Sequence, residues 1–278
     1  MFPDIFHAAK VLSQTEKDER KKDREYQLIF KEFKRLEFEL ENNAERLDIL
    51  EDIITLRASF LIDHALIGLR IDFDRAISLL RDYNNFTNDR EKQERDILVA
   101  AIENLIDFAA AEEYSMLTDI ENLPKNEKTT KSVDVFDKYH LLYGIQENKD
   151  IEYAAVIAYW WLSIKENTLV TLMTQGDERV RAWHLSHEGS TYSKNDFPPE
   201  LIPPLEFGCR CFLITNSMSS VSGSLIANEK ADSFNPIFRE SLAKGGKIFS
   251  EAHPYFKKNL PENIELLKVK LKKKFNLL

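Results

Sequence analysis

The sequence predicts a mainly α protein with a small α+β module, on three observations. Glycine is scarce, 8 residues in 278, whereas β-rich folds and phosphate loops use glycine for turns with positive φ. The first half spaces its apolar residues three and four apart, the period of a helix face. Only two short runs, 168–173 and 211–215, carry the compact β-branched or apolar texture of strands. With 43% hydrophobic and 31% charged residues the chain is apolar enough for a core and excluded from the disordered class.

Residues 15–60 read as one long helix. Ile29, Phe33, Leu36, Leu40, Leu47, Leu50 and Ile54 follow steps of four and three, with Asn43 in the one missing place. Such a heptad seam is either one arm of a helical hairpin within the chain or a surface for another subunit, including a homo-oligomer. Leu66, Leu69, Ile71, Phe73, Ile77 and Leu80 mark a second helix over 62–83. Thr87-Asn88-Asp89 offers a break and an N-cap. A third helix over 90–120 presents Ile97, Ala101, Leu105, Phe108 and Ala109, and the three together predict an up-down bundle.

The polar stretch 121–132, with Pro124, predicts a domain boundary. The expected organisation is a helical domain over 1–123, a second module over 133–216, and a Ser-rich linker with a basic helical tail over 217–278. The second module opens with a helix from near Asp150 through Trp160 and Trp161. Strands over 168–173 and 211–215 then flank a long loop.

Charge and cysteine usage narrow the function. Lys and Arg number 38 against 47 Asp and Glu, a net charge of −9, which argues against wrapping nucleic acid with the whole surface. No run of 18 apolar residues occurs, so no membrane span is expected, and the opening Met1-Phe2-Pro3-Asp4 lacks the basic start of a signal peptide. Cys209 and Cys211 stand too close for a mutual disulfide and read as free thiols or metal ligands. No nucleophile-and-base spacing and no phosphate loop occurs.

The informative region reads Met-Thr-Gln-Gly-Asp-Glu-Arg-Val-Arg-Ala-Trp-His-Leu-Ser-His-Glu-Gly over 173–189 and Pro-Pro-Leu-Glu-Phe-Gly-Cys-Arg-Cys-Phe-Leu over 203–213. It resembles the phage Mu F-like, or head morphogenesis, domain of minor head proteins. The matching positions are Asp177, Glu178, Arg179, Val180, Arg181, His184, Gly189, Pro203, Pro204, Cys209, Arg210 and Cys211. Phe234-Asn235-Pro236 and His253-Pro254-Tyr255-Phe256 resemble segments that follow the motif in some members. Many relatives carry Cys-x-x-Cys where this chain has Arg181 and His184, and a His where it has Glu206. There the groups look like a zinc knuckle.

The resemblance implies a structural, non-enzymatic virion component of a tailed bacteriophage. Its place would be the head or portal vertex, and the host cytoplasm during assembly. Its expected partners are portal and capsid proteins, and its expected role is head morphogenesis and DNA packaging or delivery. No resident cofactor is expected. A phage-delivered zinc-dependent enzyme or toxin-like effector is the alternative, and a helical adaptor with a coincidental motif is a third.

The residues themselves leave alternatives open. His184, His187, Cys209 and Cys211 carry the donor chemistry of tetrahedral zinc, or the cysteines are small buried residues and His184 bonds a loop. Asp177 and Glu178 near His184 suggest acid–base work, against an arginine brace in which Arg179, Arg181 and Arg210 hold the long loop. The brace is preferred. Lys268, Lys270, Lys272, Lys273 and Lys274 form either a solvated terminal helix or a basic tail making sequence-blind contact with packaged DNA.

Overall fold

A computed structural model of the chain describes residues 14–38, 43–81, 88–215, 234–275 and 277. The helices in order are α1 (Gln14–Arg20), α2 (Arg24–Phe38), α3 (Asn43–Leu69), α4 (Phe73–Arg81), α5 (Asp89–Glu121) and α6 (Lys128–Asp137). A π-helical turn, Lys138–Tyr143, then runs directly into α7 (Gly144–Leu162). The protein is mainly helical, with one small antiparallel sheet.

The expected single helix over 15–60 is three. Asp23 stops the first by accepting the Glu25 amide on Oδ1 at 2.8 Å, a cap that starts α2. α2 and α3 then run antiparallel as neighbours. Glu25 reaches Arg57, whereas Arg35, ten residues on, lies 3.8 Å from Asp52. Of the heptad seam, Ile29, Phe33, Leu36, Leu50 and Ile54 are buried in this hairpin and Leu47 is half exposed; Leu40 lies outside the described residues. The seam is consumed inside the chain, so the expected homo-oligomer through it finds no free apolar stripe among the described residues.

The second correction concerns where α3 ends. It runs to Leu69 and stops without a glycine. Arg70 takes φ 55°, and the Arg70 and Ile71 amides donate to Ile67 and Leu66 carbonyls at 3.1 Å each. This is a Schellman ending with arginine in the left-handed position that glycine usually fills, and the sequence signal for it was therefore missing. α5 begins as expected: Asn88 Oδ1 accepts the Glu91 amide at 3.0 Å. Its residues Ile97 to Ala111 are buried almost all round, which makes it the central helix.

The expected boundary between 1–123 and 133–216 does not separate two cores. The polar stretch is a turn of a few residues, and α6 starts at Lys128. Beyond it, the apolar face of α7 needs a partner and finds α3. A Cβ on Gly68 would stand 2.6 Å from Ala155 Cβ, so these helices approach more closely than any side chain there allows. One continuous cluster of buried residues joins Ile53 and Leu61 of α3, Phe108 of α5, Ile151 of α7 and Phe207 and Phe249 beyond.

The sheet has three strands where two were expected. β1 (Leu169–Met173) is central, with β2 (Thr191–Ser193) and β3 (Phe212–Thr215) on either side. Thr171 faces Thr191 on one side and Ile214 on the other. β2 is only three residues long, too short to show alternation. Its pairing is helped by a 2.7 Å hydrogen bond between the Thr171 and Thr191 hydroxyls. Val170 and Leu172 point into the core.

The C-terminal segment is not a free tail. Residues 216–233, the Ser-rich stretch, lie outside the described residues, but 234–275 fold back on α5. Buried Asn104 accepts the Ile248 and Phe249 amides at 2.9 and 3.0 Å and donates to the Phe249 carbonyl at 2.9 Å. A short helix α8 (Ala182–Leu185) and the final α9 (Glu262–Lys274) complete the described α-helices. No helix among the described residues is long and apolar enough to cross a membrane.

Candidate functional site: a braced His–Cys–Cys centre

The motif residues converge on the two ends of the sheet's central connection. After β1 the chain turns at Gly176, φ 65°. Asp177 then closes a turn by accepting the Arg179 amide at 3.1 Å. Arg181 leads into α8, which carries His184. On the return, a turn from Glu206 to Cys209 (3.1 Å) sets Cys209, Arg210 and Cys211 just ahead of β3. Alternation along this extended stretch buries both thiols and turns Arg210 outward.

Arg210 meets Asp177 as a two-pronged fork, Nη1 to Oδ2 at 2.8 Å and Nη2 to Oδ1 at 2.6 Å. Arg181 binds Glu206 through Nη1 at 2.6 Å and donates to the Phe207 carbonyl at 3.3 Å. These two arginines tie the outgoing and returning limbs together, the planar-fork recognition that guanidinium groups provide. Glu178 and Arg179 remain exposed. Gly189, φ 80°, donates its amide to the Leu172 carbonyl at 2.8 Å. Pro203 and Pro204 are buried. The module is pinned to α7: the Gly208 amide donates to Asp150 Oδ1 at 2.9 Å, and the Tyr153 hydroxyl donates to the Cys211 carbonyl.

Inside the brace lies the chemistry. His184 Nε2 is 2.8 Å from Glu206 Oε1, and its Nδ1 is 3.1 Å from Cys211 Sγ. The donor atoms of His184, Cys209 and Cys211 all lie within 4.8 Å of one another. Burial opposes ionising Cys209, but hydrogen bonding with Cys211 and the nearby His184 outweigh it and hold the thiol down at about 7. Cys211 is pushed up, first by its hydrogen bond with Cys209 and then by burial. The pair therefore gives up its first proton readily and holds the second.

A tetrahedral zinc ion with bonds of about 2.0–2.3 Å needs donors of this kind at this proximity. A carboxylate behind the histidine, as Glu206 stands here, orients such a ligand. His184, Cys209 and Cys211 fit three places, and zinc held there would cross-link the two limbs. The expected fourth ligand does not join them. His187 is buried elsewhere, its ring stacked on Phe234 at 5.0 Å, and among the described residues no other His, Cys, Asp or Glu completes the set. The cavity beside His184 and Cys211 is only about 20 Å³, room for one water. The acid–base grouping expected of Asp177, Glu178 and His184 is not assembled: Asp177 is held by Arg210, and Glu178 points to solvent.

The basic C-terminus is also corrected in part. Lys268 and Lys272 pair with Asp107 at 3.3 and 2.8 Å, and Lys270 with Glu51 at 2.5 Å. α9 is thus held against the acidic flank of α5 and α3, while Lys270, Lys273 and Lys274 stay exposed.

One polar cluster escaped the sequence reading. Arg57 is fully buried. Its Nε and Nη2 reach Glu112 at 2.7 and 3.1 Å, its Nη1 reaches Glu25 and Asn148, and its Nη2 lies 3.3 Å from Glu147. The signal was present. Arg57 continues the steps of Leu50 and Ile54 toward Leu61, and Glu147 stands four before Ile151, so each occupies a core place on its helix. No protein-family model, no curated protein and no solved structure matches the chain.

Proposed function

We propose that this chain is a structural minor head protein of a tailed bacteriophage, acting with portal and capsid proteins in head morphogenesis and in DNA packaging or delivery. The observation that carries the reading is the internal use of the motif's chemistry. Asp177 is paired with Arg210, Arg181 and His184 both stand against Glu206, and the remaining cavity of about 20 Å³ admits water and no substrate.

Such a centre works mechanically. It converts a long connection into a rigid knob anchored on α7, with Leu185 and Ile214 left 46% and 36% exposed on its surface for a partner. Rigidity matters because an ordered docking surface does not lose loop entropy on binding. Contact with packaged DNA falls to the exposed Lys270, Lys273 and Lys274, the first of them already paired with Glu51, and is correspondingly weak. The test is mass spectrometry of purified virions from the phage that encodes the chain. The chain is expected in the particle at lower copy than the major capsid protein. Its absence from complete particles refutes the assignment.

A further inference from the structure

Packing alone leaves the two thiols and the imidazole of the braced centre without a purpose. His184 Nδ1 lies 3.1 Å from Cys211 Sγ, and the donor atoms of His184, Cys209 and Cys211 all fall within 4.8 Å of one another. Donors bound to one tetrahedral zinc ion at about 2.0–2.3 Å stand about 3.3–3.8 Å apart, inside the range these three already span. All three residues are buried. The limbs that carry them are fixed by the Arg210–Asp177 fork and by the Gly208 amide on Asp150, so the donors are held in place beforehand.

The imidazole is oriented for the task. Glu206 Oε1 stands 2.8 Å behind Nε2, which leaves Nδ1 as the nitrogen facing the thiols. A carboxylate in that place fixes the ring and strengthens the opposite nitrogen as a donor. Glu206 is fully buried, and neither its oxygens nor His184 Nε2 complete a hydrogen bond of good geometry. Buried polar atoms left this way are uncommon and ask for a reason.

Charge points the same way. Arg181 stands 2.6 Å from Glu206 and Arg210 holds Asp177, so neither arginine is free to neutralise the thiols, and Arg179 is exposed to solvent. Two thiolates match one divalent ion. Sulfur donors beside an imidazole suit zinc, whereas magnesium and calcium take oxygen. The fourth place has no protein donor: His187 is stacked on Phe234, and among the described residues no other His, Cys, Asp or Glu joins the three. The cavity of about 20 Å³ touches both His184 and Cys211 and holds one water.

We propose that the centre is a three-residue zinc site formed by His184 Nδ1 and the Cys209 and Cys211 thiolates. Glu206 is its positioning residue, behind the imidazole, and the fourth place is left to water. Binding releases the thiol protons to solvent and joins the α8 limb to the limb that leads into β3. The site adds a staple to the braced module and stands apart from the virion assignment, since uptake is read on the purified chain and not on particles.

The experiment is titration of the full, reduced chain with cobalt(II) and then zinc, read by visible absorption, with X-ray absorption at the zinc edge of the loaded protein. One equivalent of cobalt should give the intense bands of a tetrahedral thiolate site, and zinc should displace it. The zinc edge should show two sulfur neighbours and two lighter ones. His187→Asn should leave affinity and neighbours unchanged, which assigns the fourth place to solvent. Glu206→Gln should keep the two sulfur neighbours and weaken zinc binding about tenfold, the loss expected when the partner behind a metal-bound histidine is removed. Uptake of less than one equivalent, fewer than two sulfur neighbours, weakened binding in H187N or full affinity in E206Q would each overturn the proposal.

Discussion

Replacing Arg57 with methionine tests whether the bundle centre is held by charge. The guanidinium is 1% exposed, Glu112 and Glu147 are 0%, and Glu25 is largely covered. Arg57→Met keeps the apolar stem and removes the one cation these carboxylates share. Breaking a buried pair by deleting one partner costs about 3–5 kcal/mol, because the other charge stays buried without compensation. Against a total stability of about 5–15 kcal/mol that is a large share. Urea unfolding followed by circular dichroism measures it, and R57M/E112M should recover part of the loss, since it removes one of the carboxylates left without their cation.

The pH dependence has a definite sign. Burial opposes ionising Glu25, but His64 close by and the charges of Arg57 and His140 hold it at about 2, below the usual 4.5. Its contribution is present above pH 4.5 and is lost as pH falls toward 2. The R57M penalty should therefore be full at pH 7 and shrink below about pH 4.5. A penalty under about 1 kcal/mol at pH 7, in the range of surface substitutions, or a double variant no more stable than R57M, refutes the reasoning.

Three further outcomes are expected. Asn104→Leu strips partners from two buried amides and one carbonyl and should cost about 2–4 kcal/mol; the check is hydrogen exchange, with residues 246–250 losing protection first, and uniform loss over the chain would contradict the pinning role. His253 is held down at about 3, by burial foremost and then by Lys257, so the unfolded chain binds the extra proton between pH 6.5 and 3. Stability from this group is full above pH 6.5 and falls by about 1.4 kcal/mol per pH unit below it; His253→Asn, which keeps a capping side chain, should flatten the urea midpoint between pH 7 and 5, and an unchanged slope counts against it. In zinc titrations read by elemental analysis, Cys209→Ser and His184→Asn should abolish any uptake shown by the parent chain, while His187→Asn should leave it intact. Equal losses in all three would restore His187 as a ligand.

Local signals carried much of the architecture. Asn88 announced α5 because a cap acts within one turn, and the buried stripe from Ile97 to Ala109 followed the helical period. The strands at 169–173 and 212–215 were visible as compact apolar runs. The end of α3 was not visible, since Arg70 adopts a conformation that glycine advertises and arginine does not. β2 was not visible because three residues carry no period, and it exists through its pairing with Leu169–Thr171.

The candidate site divides in the same way. By itself the sequence determined the mainly helical class and the motif residues from Asp177 to Cys211. It also determined the donor chemistry of His184, Cys209 and Cys211, because residue type and short spacing are local properties. Only the tertiary structure decided that Arg210 holds Asp177, that Glu206 rather than His187 stands at His184, and that α7 shares one core with α3. It alone gathered Arg57, Glu112 and Glu147. These are contacts between residues up to about a hundred positions apart. What fixes them is how apolar faces pack and which buried charges must be matched, and neither quantity is written in any single stretch of chain.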